Sequence, residues 1–143
     1  MEIKYYKPGE INNEKFQFAI ISASYKGKWI FVRNKERVTW EIPGGHREVN
    51  ENINATASRE LYEESGATDF EIEPVCDYTV TIGETTTYGR LFYAKVNEFG
   101  PLPDSEIGEI KLSESLPEHL TYAEIQPRLL RKVLQHLSDK TSL

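Results

Sequence analysis

The chain has one cysteine, Cys76, among its 143 residues, so no disulfide can close within it, and the small folds stapled by such bridges are excluded. Long apolar runs are missing too. The opening MEIKYYKPGE has neither the hydrophobic stretch of a signal peptide nor that of a membrane span, which gives the expectation of a cytoplasmic protein with no membrane partner. Positive charge is scarce. With 17 Lys and Arg against 23 Asp and Glu, the formal charge is −6, and that argues against a nucleic-acid polymer, whose binding needs a basic surface that releases counterions. Repeats, low-complexity tracts and long linkers are absent, and the only Pro-rich stretch is the short segment 97–104. The length then fits one domain, 1–143, with its own core, as a monomer or a homodimer.

What is present is strongly patterned. Segments 15–24 and 28–33 are rich in Phe, Ile, Val and Trp and flank Gly27, the pattern of a hairpin, and a third strand is expected over 38–42. Pro43 cannot donate to a ladder and Gly44 with Gly45 permits unusual backbone angles, so that strand should stop there. A helix is expected from residue 52 or 53 to Ser65, with an asparagine at its N-cap and Gly66 just past its end. Its buried stripe would be Ile53, Ala57 and Leu61. Residues 70–82 and 85–96 alternate as long paired strands turning near Gly83 and Glu84, and 107–112 suits a shorter strand. A closing amphipathic helix follows from Ile125, Leu129, Leu130, Val133, Leu134 and Leu137, with Pro127 tolerable only in its first turn. This order predicts an α/β fold with a mixed sheet and helices on its faces.

The predicted central helix carries the chemistry. Glu60, Glu63 and Glu64 stand at i, i+3 and i+4, and since successive helical side chains rotate by about 100°, they share one arc. Like charges so placed repel, which is best relieved by a cation; Mg2+, or Mn2+, is the hard oxygen-seeking ion that suits carboxylates. Phosphate groups would be repelled by the same cluster unless cations reversed the local field, so metal and substrate binding should be coupled.

From Gly45 the chain reads GHREVNENINATASRELYEESGA, with a glycine, Glu51, and then Arg59, Glu60, Leu61, Tyr62, Glu63, Glu64, Ser65 and Gly66. These residues and spacings resemble the signature of the Nudix hydrolases, enzymes that cleave nucleoside diphosphates linked to another group. The preceding Trp40, Glu41, Ile42, Pro43 and Gly44 looks like the strand and glycine turn that lead into that signature. The one departure is Ala67, where the family usually has a larger aliphatic residue. The resemblance implies a Nudix-type alpha/beta/alpha sandwich with a central mixed sheet. Position by position it implies Glu60 and Glu64 as principal metal ligands, Glu63 as ligand of a further ion or proton relay, and the Gly44 carbonyl as an additional ligand. Arg59 and Glu51 are read as an ion pair that orients those carboxylates.

The general base falls on a signature glutamate in some members and on a downstream loop glutamate in others, which leaves Glu63, Glu106 and Glu109, with Glu63 first. His46 and Arg47 follow the glycines and are candidates to touch a phosphate; Trp40 is the first candidate for stacking on a base. His119 and His136 have no partner at zinc-ligand spacing. Markers that the family carries for ADP-ribose, dinucleoside polyphosphate and NADH substrates are missing after the signature. By elimination the chain is similar to the MutT-type members, which release a nucleoside monophosphate and pyrophosphate from a triphosphate or modified nucleotide. The alternatives are a nucleoside diphosphate sugar or related conjugate as substrate, or a noncatalytic nucleotide sensor. The last would be expected to have lost signature carboxylates, and this chain keeps them all.

Overall fold

The computed structural model describes residues 1–141. Its elements, in chain order, are β1 (Glu2–Tyr6), a 3-10 turn (Asn13–Lys15), β2 (Phe18–Tyr25), β3 (Lys28–Asn34), β4 (Gly44–His46), α1 (Ile53–Ser65), β5 (Ala67–Ile82), β6 (Thr85–Phe99), β7 (Ile107–Ser113) and α2 (Gln126–Thr141). The sheet runs β1-β5-β6-β2-β3-β7, with β4 on β2, and it is mixed because β2 and β6 are parallel while the other pairs are antiparallel.

Both turns of the paired strands use a glycine at positive φ. Lys26 and Gly27 (φ 49° and 81°) close β2 onto β3, and Gly83 (φ 61°) closes β5 onto β6. Beyond two residue pairs these strands splay apart, and the segment from Trp40 to His46 enters the gap. There the expected third strand over 38–42 is corrected. Pro43 has no N–H to extend a ladder, so Glu41 exchanges hydrogen bonds with Val32, and regular pairing resumes only past the proline, where β4 meets Phe18–Ile20. β1 is a strand that the hydrophobic pattern did not announce. Its five residues find partners on β5, opposite Asp77–Thr81.

Alternation along β6 separates the two faces of the sheet. Phe92, Ala94 and Val96 pack with Ala19, Ile21, Ile30 and Val32 beneath Ile53, Ala57 and Leu61 of α1. Leu91 on the other face packs with Cys76, Tyr78 and Val80 beneath Leu129 and Val133 of α2, while Leu130 covers Phe31 and Ile42. The helices therefore bury opposite faces. α1 is held at both ends: the Asn52 side chain accepts the Asn54 N–H at 2.8 Å, Asn13 of the 3-10 turn accepts the Ile53 N–H at 2.8 Å, and Gly66 closes the helix at φ 79°. Pro127 sits in the first turn of α2, where its missing N–H costs no helical bond.

Candidate active site

The carboxylates at i and i+4 of α1 converge on adjacent residues of the glycine turn. Glu64 accepts the Gly44 N–H at 2.9 Å, and Glu60 lies so close over the α-carbon of Gly45 that any side chain there would collide with its carboxylate. Glycine at 45 thus lets the Glu60 carboxylate lie where it does. At 44 the crowding comes from β2, since a Cβ would stand 2.5 Å from the Ala19 carbonyl. Along the β2–β4 ladder, Ile21 bonds to Pro43 and Arg47 bonds to Gln17, so the intervening Ile20–Gly44 pair is a non-hydrogen-bonded one. Both polar groups of Gly44 therefore face away from β2. The N–H is taken by Glu64, and the carbonyl is free of the ladder.

Arg59 binds Glu51 through two parallel bonds of 2.8 and 2.9 Å, reaches Glu60 at 2.9 Å and Glu63 at 3.2 Å, and donates to the His46 carbonyl at 3.0 Å. One guanidinium thus joins the loop after β4 to the acidic face of α1. Its bonds hold the Glu51 carboxyl down to about 2, helped by the Thr56 hydroxyl at 2.6 Å and the Glu48 N–H at 3.1 Å. The neighbouring glutamates go the other way. Burial pushes Glu64 up to about 8 against its one backbone hydrogen bond, with Glu60, Glu41 and Glu106 adding repulsion. Burial also raises Glu60 and Glu41.

Of these groups Glu41, Glu64 and Glu106 line a cleft of about 410 Å3, while Glu60, Glu51 and Arg59 stand behind Gly45, outside its lining. Gly44, Gly45, Glu41, Glu64 and Glu106 make its acidic end, while Phe18, Ile20, Tyr78, Val80 and Leu129 supply an apolar wall. Glu41 was not singled out from sequence except within the lead-in. Its Oε2 is buried without a hydrogen bond, 3.7 Å from the Arg37 guanidinium. A buried anionic oxygen without a donor, beside two carboxylates raised by burial, is the environment a divalent cation would relieve, and the oxygen-only donor set suits a hard ion. The residues fit the cation in kind. Among the described residues, no three such groups already close on one point.

The other sequence candidates are distributed unevenly. Glu63 is partly exposed, held by Arg59, and does not line the cleft; Glu109 pairs with Arg33 at 3.2 Å on the far strand. Glu106 does line it. Arg47 spends its guanidinium on the carbonyls of Glu14, Phe16, Glu48 and Glu51, at 2.9–3.3 Å, so it braces two loops and stands outside the cleft lining. Trp40 borders a separate groove beneath Lys111, whose ammonium lies 5.5 Å from the ring, because the Glu41 bridge turns it away from the cleft. His46 stays at the cleft, its ring 4.5 Å from that of Phe18. Arg37, Tyr78, Tyr122 and Gln126 also line the cleft and escaped the sequence reading, which had no local spacing to connect them with the signature.

Residues 17–135 match the family described as the NUDIX domain. The chain belongs to that family. As a Nudix hydrolase it acts on pyrophosphate bonds of nucleotide derivatives, and hydrolases of this family generally need divalent metal ions. Solved structures agree in fold. A pyrophosphohydrolase of Bacillus subtilis is 20% identical, with a TM-score of 0.77 over 93% of this chain and 90% of that one. A UDP-X diphosphatase is 18% identical, with a TM-score of 0.74 over 94% of this chain and 68% of that one. A MutT Nudix hydrolase from Burkholderia pseudomallei is 19% identical, with a TM-score of 0.57 over 81% and 95%. No curated protein matches the chain in sequence. Among the described residues, no helix is long and apolar enough to cross a membrane.

Proposed function

We propose that this Nudix hydrolase cleaves a nucleoside triphosphate or a modified nucleotide into a nucleoside monophosphate and pyrophosphate. The observation that carries the reading is the continuity of one cleft, apolar along Phe18, Ile20, Tyr78 and Val80 and acidic at Glu41, Glu64 and Glu106. A flat base buries its surface at the first part, and the phosphate chain lies at the second. Glu60, Glu64 and the Gly44 carbonyl hold the divalent cation, with Mg2+ first and Mn2+ as the alternative, and Glu63 stands by for a further ion. When bound, the cation supplies positive charge against the phosphate oxygens and acidifies water.

The protein's own groups do the rest. Arg59, anchored by Glu51, sets the direction of the Glu60 carboxylate, and Gly45 leaves the space that carboxylate needs. Glu106, exposed just before β7 and lining the cleft, takes the proton of the attacking water, a role for which Glu63 is less well sited. Water as the attacking group agrees with the lack of a serine or cysteine nucleophile in the cleft lining. The test is turnover with Mg2+ on nucleoside triphosphates and on nucleoside diphosphate sugars, with the products resolved. A monophosphate and pyrophosphate from the triphosphates is the expected result. Failure of the triphosphates to yield a monophosphate would overturn the substrate reading, and Glu106→Gln should lower kcat by about 100-fold or more while Glu63→Gln lowers it less.

A further inference from the structure

A buried amide in the cleft lining is left with hydrogen bonds to give. Gln126, the first residue of α2, is 3% exposed and lines the cleft. Its Oε1 accepts the Ile42 N–H at 2.8 Å. A main-chain N–H only donates, so the atom facing Ile42 is the oxygen, and the amide cannot be turned end for end. Nε2 has no hydrogen-bond partner within the described residues and is not sealed off, which leaves its two N–H donors open to the cleft. Other polar groups of the lining differ: the Tyr78 hydroxyl can turn to accept as well as donate, and Thr87 and Asn34 each hold a bond within the protein. Thr87 donates to the Val80 carbonyl at 3.4 Å, and Asn34 accepts the Glu36 N–H at 2.9 Å.

A ligand that covers Nε2 must therefore bring an acceptor, because stripping water from an unpaired donor among Ile20, Tyr78 and Leu129 is costly. Sugar and phosphates must stay at the wet, acidic end, so the part of a nucleotide that enters the apolar part is the base edge remote from the sugar. That edge carries either a ring carbonyl or an exocyclic amine. We infer that Gln126 makes the cleft selective for bases with a carbonyl at the purine 6 or pyrimidine 4 position, the class of guanine, uracil and thymine, over those with an amine there, the class of adenine and cytosine. The inference rests on the reading above that a nucleoside occupies this cleft. An amine would set donor against donor, and the site holds the amide through Ile42 so that it cannot adapt.

Two measurements on the full chain test this separately from the activity: equilibrium binding of GMP, UMP, AMP and CMP with Mg2+, none of which has a pyrophosphate link to hydrolyse, and kcat/KM on the four triphosphates with Mg2+. GMP and UMP should bind about tenfold or more tightly than AMP and CMP, and the triphosphates should rank the same way. Gln126→Glu keeps an oxygen for Ile42 but offers the ligand an acceptor, so it should lower the guanine-to-adenine ratio about tenfold; Gln126→Met offers neither and should flatten it. Equal binding of the four monophosphates, no binding of any, or a preference that survives in both folded variants would overturn the inference. Should either variant fail to fold, the wild-type ranking decides alone, and a preference for the amine bases refutes it. If the monophosphates rank as expected while no triphosphate is hydrolysed, the proposed reaction falls and the selectivity stands.

Discussion

Gly44 and Gly45 are neighbours, yet a methyl group at each would meet a different obstacle. At 45 it meets the Glu60 carboxylate, a side chain that can swing aside; at 44 it meets the Ala19 carbonyl, which belongs to the sheet. Gly45→Ala should therefore leave the circular dichroism spectrum native and cut kcat about 100-fold by displacing the carboxylate proposed to hold the cation. Gly44→Ala should instead cost about 1–3 kcal/mol of stability, read by urea unfolding. Glu51 gives a pH signature. Its folded carboxyl is held to about 2 against an ordinary 4.5, so its contribution is complete above about 4.5 and disappears as the pH falls toward 2. Glu51→Gln should flatten the acid limb of the stability curve across that window, and an unchanged limb would mean that the Arg59 pair carries no net stability. Residue types at local spacing were legible here: Glu60 and Glu64 follow from i and i+4 on one helix. Glu41, Glu106 and Gln126 were not assigned in the same way, because what makes them part of the site is contact across 20 to 85 positions of sequence, which no local pattern encodes.

At the scale of elements, α1 was readable almost to the residue, since Asn52 and Gly66 are end signals with a mechanism and Ile53, Ala57 and Leu61 form the buried stripe. One of its caps was invisible. Asn13, from a 3-10 turn 40 residues earlier, accepts the Ile53 N–H and donates to the Glu51 carbonyl at 3.1 Å. It holds the first turn of the helix and the loop that carries Glu51 together. Asn13→Ala should cost about 1 kcal/mol in thermal or urea unfolding, comparable with Asn52→Ala, and it should also raise hydrogen exchange at the first turn of α1. The misplaced strand over 38–42 has the opposite origin. Its apolar content was read correctly, but Pro43 divides the segment between two partners, and a proline's effect on pairing depends on which edge it faces.

For the molecule as a whole, the order of strands and helices was enough to anticipate a mixed sheet covered on both faces, whereas the β1 edge and the parallel β2–β6 contact could be learned only from the assembled structure. A buried ion pair ties these parts together. Asp77, fully buried, binds Arg90 at 2.6 and 3.2 Å and accepts the Gly9 N–H at 3.2 Å, while Arg90 reaches Asn54 of α1 and lies 5.0 Å over the Phe16 ring. Asp77→Ala leaves a buried guanidinium without its counter-charge, and a loss of about 3–5 kcal/mol is expected on denaturant unfolding. Replacing both partners with apolar residues should cost less than that single change.

The parallel contact has a temporal meaning as well. β2 sits in the middle of the sheet, yet the neighbour that lies along nearly its whole length, from Phe18 opposite Gly89 to Ser24 opposite Lys95, is synthesised about 70 residues later. Ribosomes deliver the chain in one direction, so the signature helix emerges before the strand that completes its floor. A nascent chain halted ahead of β6 would hold every carboxylate of α1 and still lack a stable platform for them, which makes arrest-length profiling with a protease the natural way to watch this enzyme acquire its shape.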